Sequence, residues 1–164
     1  MPILQRYELP GGEMFKKILI PIDGSKEAAE AGRFAVDLAK SCGASTVALH
    51  VAPPFQQPYF EDFTPPRQTT REQWQTDLRD AAQRHFDPLS KAARNGGILF
   101  SAECAFADNP AQAIVAAAKS YGCDLIVMGP RGRGGVAGYL LGSVTTRVLG
   151  MSNVTTLVYH SPQL

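Results

Sequence analysis

Short apolar runs alternate along this chain with longer stretches in which apolar residues return every three or four positions. Lys17-Ile18-Leu19-Ile20-Pro21-Ile22 is apolar over most of its length and stops at Asp23-Gly24-Ser25, the pattern of a strand covered on both faces. Ser25 is then suited to cap a helix, with Glu27 and Glu30 at its positive end and Ala28, Ala31, Ala35 and Leu38 at helical spacing up to Cys42-Gly43. Residues 46–51 form a second β-rich run. Residues 52–68 break the pattern with Pro53, Pro54, Pro58, Pro65 and Pro66 interleaved with Phe55, Tyr59, Phe60 and Phe63, a connection that continues neither element. Those aromatics suggest a lid or a contact surface, with a plain connector as the alternative.

A second helix is expected to start at Thr69 or Thr70, each followed three residues later by Glu72 or Gln73 as in a capping box. Trp74, Leu78, Ala81, Ala82, Phe86 and Leu89 would form its buried stripe, Pro88 should kink it, and Asn95-Gly96-Gly97 should close it. Residues 98–106 read as a third strand. Asn109-Pro110 then opens a third helix that buries Ala113, Ile114, Ala117 and Ala118. A fourth strand is expected over 124–128, a glycine-rich loop over 129–142, a helix from Ser143 to about residue 149 and a last strand over 154–159. Strict alternation of β and α implies an α/β fold: one domain with a five-stranded, mainly parallel sheet and helices on both faces, flavodoxin-like.

Composition narrows the function classes. Sixteen Lys plus Arg against fifteen Asp plus Glu give a formal charge of +1, without the basic excess that a nucleic-acid binder needs. No apolar run approaches the roughly eighteen residues of a membrane span, and residues 1–13 lack a signal-peptide core, so a cytoplasmic protein is expected. Cys42, Cys104 and Cys123 are widely spaced and read as buried free thiols. Near-neutrality also hides an asymmetry: residues 125–164 carry Arg131, Arg133 and Arg147 and no Asp or Glu.

Ligands of open α/β sheets sit beyond the carboxyl ends of the strands. Asp23, Val51 and the loop from Gly129 occupy such ends. The loop runs into a helix N-terminus, where free amides and the helix dipole favour phosphate. The lysine of a P-loop is absent, because no Lys follows Lys119. Gly132-Arg133-Gly134-Gly135-Val136-Ala137 matches a dinucleotide fingerprint, yet it follows the fourth strand, and no Asp or Glu lies beyond Asp124 to hold a ribose. His50, His85 and His160 have no recognisable nucleophile partner, and His50 reads as a structural histidine.

Gly129-x-x-Gly132, nine further residues and Gly142-Ser143, together with Lys16-Lys17-Ile18-Leu19-Ile20-Pro21-Ile22-Asp23-Gly24-Ser25 and Leu49-His50-Val51, resemble the nucleotide-binding branch of the universal stress protein family. The resemblance implies a fold also seen in adenine nucleotide alpha hydrolases, bound ATP, and a homodimer paired through the C-terminal strand. It implies a cofactor-binding set of Pro21, Asp23, Val51, Met128, Gly129, Arg131, Gly132, Gly142, Ser143 and Val144. Asp23 would face the ribose and a Mg²⁺ ion, Val51 would meet adenine through its backbone, and the remaining glycines and amides would cradle the triphosphate. Asp23 as a simple turn brace, and Arg131 and Arg133 as solvated loop charges, stay open as alternatives. Thr155-Thr156 stands where the family often has proline, a departure at the dimer strand. Residues 14–160 would be the nucleotide domain and residues 1–13 an appended arm or an upstream start.

The implied role is an ATP-binding stress-response regulator that acts on an unidentified protein target through loop or dimer changes, with at most slow ATP hydrolysis. No residue is positioned by sequence to activate water. Two alternatives remain at this point: an interaction module that binds no nucleotide, and a true ATPase or nucleotidyl transferase.

Overall fold

The computed structural model describes residues 14–56, 70–133 and 141–162. The proposed N-terminal arm, most of the proline-aromatic connection and the interior of the glycine loop lie outside the described residues. Five strands and four helices alternate as β1 Lys17–Pro21, α1 Lys26–Cys42, β2 Ser45–Ala52, α2 Arg71–Asn95, β3 Phe100–Phe106, α3 Pro110–Ser120, β4 Leu125–Met128, α4 Ser143–Met151 and β5 Thr155–Val158. The strands form one sheet in the order β3-β2-β1-β4-β5, and every pairing is parallel.

Period-two alternation within the strands builds two cores. Ile18 and Ile20 of β1 point with Leu125 and Val127 of β4 toward α1 and α2, where Ala35, Ala39, Phe86 and Leu89 meet them. Leu19, Ile126 and Met128 point the other way, toward Ile114 and Ala118 of α3 and Val148 of α4. The central strands are therefore buried on both faces, which is why they read as unbroken apolar runs. Small residues on α1 let it lie close to α2 and to the end of β1; a Cβ at Gly32 would come within 2.9 Å of Leu89 Cδ1 and 3.2 Å of Ile22 Cδ1.

Local signals set most of the helix ends. Ser25 Oγ accepts from the Ala28 N–H, and Gly43 closes α1 in the left-handed region at φ 72°. Of the two capping boxes open to α2, the structure forms Thr70–Gln73, with both reciprocal bonds present. That helix runs continuously past Pro88, which is on its exposed side. Asn109 caps α3 through the Gln112 N–H, with Pro110 in the first turn.

Several expectations need correction. The strand expected from residue 98 begins at Phe100, because the Ile98 N–H donates to the Ala93 carbonyl at 2.9 Å and so belongs to the C-terminal turn of α2. In α2 the buried residues are Ala82, Phe86, Leu89 and Ala93, whereas Trp74, Leu78 and Ala81 are half-buried. Trp74 instead packs with Phe55 and Phe106 at ring-centroid distances of 5.8 and 5.9 Å. In α3 the buried set is Ala111, Ile114 and Ala118, with Ala113 and Ala117 half-buried. Only Cys123 of the three free thiols is buried; Cys42 and Cys104 are intermediate. Burial nevertheless pushes the Cys104 and Cys123 thiols up, away from the thiolate form.

Candidate functional site

In this strand order the chain leaves β1 for β2 on one side and returns beside β1 as β4 on the other. The carboxyl ends of β1 and β4 therefore open a crevice between connections that diverge. A cavity of ≈ 750 Å³ occupies it, a size suited to a nucleotide-sized ligand. Its walls combine Pro21 at the end of β1 with Ile22 and Asp23 after it, Ala28 of α1, Leu49 and Val51 of β2, Pro110 and Ile114 of α3, Met128 at the end of β4 with Gly129, Arg131, Gly132 and Arg133 after it, and residues 141–147 of the loop end and α4. All ten of the residues assigned from sequence line this one cavity.

Asp23 organises the entrance. Its Oδ1 accepts from the Ser25 N–H at 2.9 Å, and its Oδ2 accepts from the Arg133 N–H at 2.8 Å. One carboxylate thereby joins the start of α1 to the loop after β4, so the turn-brace alternative describes contacts that exist. A side chain at Gly132 would drive its Cβ into Asp23 Oδ2, which is the physical reason a glycine stands there. Gly129 is equally confined: its Cβ would lie 3.0 Å from the backbone carbonyl of Glu27. Arg131 reaches back to Glu27, with Nη2 to Oε1 at 3.8 Å and both side chains more than a third exposed, a pair worth at most about 1 kcal/mol.

The start of α4 supplies the donors. Its first internal bond runs from the Thr146 N–H to the Gly142 carbonyl at 3.0 Å. The amides of Ser143, Val144 and Thr145 ahead of it have no acceptor among the described residues, as expected for a first turn. Gly142 differs from the sequence picture in one respect. Its own N–H donates to the Pro130 carbonyl at 2.8 Å, so it shapes the wall and holds the loop ends together, while the next three amides have no such partner among the described residues.

Sequence reasoning missed Thr145. The residue is 2% exposed, and its hydroxyl donates to the Gly129 carbonyl at 3.1 Å, tying α4 to the end of β4. Replacing Thr145 with Val removes the donor and leaves a buried carbonyl unpaired, with an expected loss of about 1–3 kcal/mol. Urea unfolding should show a lower midpoint at an unchanged slope; a shift equivalent to less than about 0.5 kcal/mol would count against this bond. Arg147 was also missed as a lining residue, although its i+4 spacing from Ser143 places both on one helix face. Pro110 and Ile114 carried no signal, because nothing in their own helix tells which strand end it overhangs.

The histidines stand behind this wall. His50 Nδ1–H donates to the Ile22 carbonyl at 2.7 Å, the structural role its sequence context suggests. His85 of α2 packs on the Gly24 turn, whose φ is +83° and whose Cβ would meet His85 Nε2 at 2.6 Å. Burial, helped by the charges of His50, Arg133 and Arg84, lowers the His85 pKa against the opposing pull of Asp23.

With this geometry in hand, comparisons with known proteins agree on one family. The Universal stress protein family model matches residues 14–160. Universal stress protein MJ0531 of Methanocaldococcus jannaschii is 32% identical over 157 residues, covering 93% of this chain and 86% of that protein. The chain belongs to the universal stress protein family. Among solved structures, hypothetical protein MJ0577 superposes with a TM-score of 0.74 at 25% identity, covering 92% of this chain and 99% of the other. A universal stress protein solved in complex with cAMP superposes with a TM-score of 0.64 at 20% identity, covering 89% and 97%. These likenesses support the five-stranded parallel α/β fold.

Proposed function

We propose that this chain is an ATP-binding regulatory protein of the stress response, in which the crevice between β1 and β4 holds the nucleotide. The observation that carries the reading is the run Ser143, Val144 and Thr145, which lines the same cavity as Gly129 and Gly132 and whose amides have no acceptor among the described residues. A fold neighbour solved with cAMP supports adenine as the base. Adenine would lie against Val51 and Ile114, the ribose beside Asp23, and the phosphates between Gly129 to Gly132 and the first turn of α4. Hydrogen bonds to a charged group contribute about 1.5–3 kcal/mol each, so a few amides suffice for the roughly 8 kcal/mol of a micromolar complex.

Nucleotide binding would work through the loop and the partner surface rather than through rapid turnover. Asp23, the carboxylate lining the pocket, is engaged with two backbone amides, and neither His50 nor His85 is part of the cavity wall. That arrangement favours slow hydrolysis at most. β5 forms one edge of the sheet, which leaves it free to pair with a second copy as a homodimer. Residues 14–160 would form the working domain with residues 1–13 as an added arm, acting in the cytoplasm on a protein target. No helix among the described residues is long and apolar enough to cross a membrane.

Thermal unfolding tests the reading. ATP at about a hundred times its dissociation constant should stabilise the fold by about 2.7 kcal/mol, a rise of about 5–10 °C in melting temperature for a chain of this size. An unmoved transition at millimolar ATP would favour an interaction module that binds no nucleotide.

A further inference from the structure

We infer that the pocket takes its nucleotide as the metal-free polyanion, with arginine standing where a divalent cation would otherwise neutralise the phosphates. This rests on the nucleotide reading above. The charged residues that line the cavity are Asp23, Arg131, Arg133 and Arg147, three cationic against one anionic, with the Arg131 guanidinium 3.8 Å from the partly exposed Glu27 carboxylate outside the lining. The unbonded amides at the start of α4 add the positive end of a helix dipole to the same wall.

The donor set does not suit Mg²⁺. That ion at a nucleotide takes one or two carboxylates, phosphate oxygens and several waters, and it demands near-ideal octahedral geometry from a carboxylate free to turn toward it. Asp23 is the sole carboxylate among the described lining residues, and a backbone N–H on each of its oxygens, from Ser25 and from Arg133, fixes its direction and leaves one lone pair on each oxygen. Moving it toward an ion would release the loop that Gly132 fits against it. Glu27 is not part of the lining, and its carboxylate is turned to Arg131. The loop stretch 134–140 contains no Asp or Glu, and neither does any position after Asp124. Among the described residues no group of three His, Cys, Asp or Glu side chains is arranged to hold a metal ion.

Arginine fits the role. A planar guanidinium binds phosphate oxygens in a two-pronged fashion that a point charge cannot match. Arg147 lies one turn along α4 from Ser143, so it can extend the run of amides along a polyphosphate chain, while Arg131 and Arg133 approach from the loop after β4. MgATP brings these side chains less negative charge than free ATP does, and the bound dication itself is repelled by them.

Calorimetric titration of the full chain with ATP, in EDTA and again in excess MgCl₂ at matched ionic strength, tests this. Free ATP is expected to bind at least about fivefold more tightly than MgATP. The Arg147→Gln variant should weaken free ATP about tenfold and narrow the gap between the two buffers, with its unliganded melting curve reporting the fold. Equal or tighter binding in MgCl₂ by the unaltered protein overturns the inference while leaving the nucleotide reading intact. Absence of binding in both buffers overturns the nucleotide reading and this inference together.

Discussion

Replacing Gly132 with Val should weaken ATP binding at least about a hundredfold while leaving the protein folded. The argument is steric. A Cβ at this position collides with the Asp23 carboxylate, so either the loop after β4 moves outward or the carboxylate gives up its bond to the Arg133 N–H. Both outcomes pull apart the two edges of the crevice, and a displacement of about 1 Å in a positioning element is enough to lose most of a site's function. Gly132 is itself exposed and outside both cores, so the melting temperature should fall little. ATP affinity within about twofold of the original would mean that the loop after β4 does not form the phosphate side.

The Asp23→Ala change should have two effects of different origin. Two hydrogen bonds from backbone amides to a carboxylate are lost; their partial exposure discounts the usual value to about 2 kcal/mol in total. That corresponds to a drop of about 4–8 °C in melting temperature. ATP affinity should also fall, by about a hundredfold, because in the proposed binding mode the carboxylate would meet the ribose, and it also fixes the loop. Asp23→Asn separates the two effects, since an amide has one carbonyl acceptor and cannot serve both N–H groups. It should recover part of the stability and little of the affinity. Full recovery of both would reduce Asp23 to a turn brace and remove it from the ligand site.

These two residues also show how far the sequence could be read. Asp23 and Gly132 were legible as site residues through spacing and resemblance, but their contact with each other was not. The two positions are more than a hundred residues apart, and the contact exists only because β4 returns beside β1. The strand and helix order was readable because both faces of the central strands are covered, which leaves long apolar runs in β1 and β4. Boundaries were weaker where an apolar residue serves two neighbours. Ile98 continues the apolar run of β3, yet its N–H closes α2. The helix expected to end near residue 149 extends to Met151, past Gly150, where an added Cβ would have no atom within 4 Å. Thr145 and Arg147 were hidden for another reason: a helix of nine residues gives too short a periodic pattern to tell which side faces the cavity and which the sheet.

The stability of the crevice is thus linked to its chemistry. Thr145, Gly142 and Asp23 each use a hydrogen bond to close the loop against the sheet, so the amides of Ser143 to Thr145 are held in place before any ligand arrives. Preorganised donors lose little entropy on binding. Binding would then act chiefly on the loop ends, next to the residues whose exposure a partner could sense.

A crystal structure of the full chain grown with saturating ATP would test the central claim most directly. The account predicts one nucleotide per chain in the β1–β4 crevice, its phosphates on the amides of Ser143, Val144 and Thr145 and its ribose beside Asp23. An empty crevice under those conditions, or a nucleotide bound anywhere else on the chain, would contradict it.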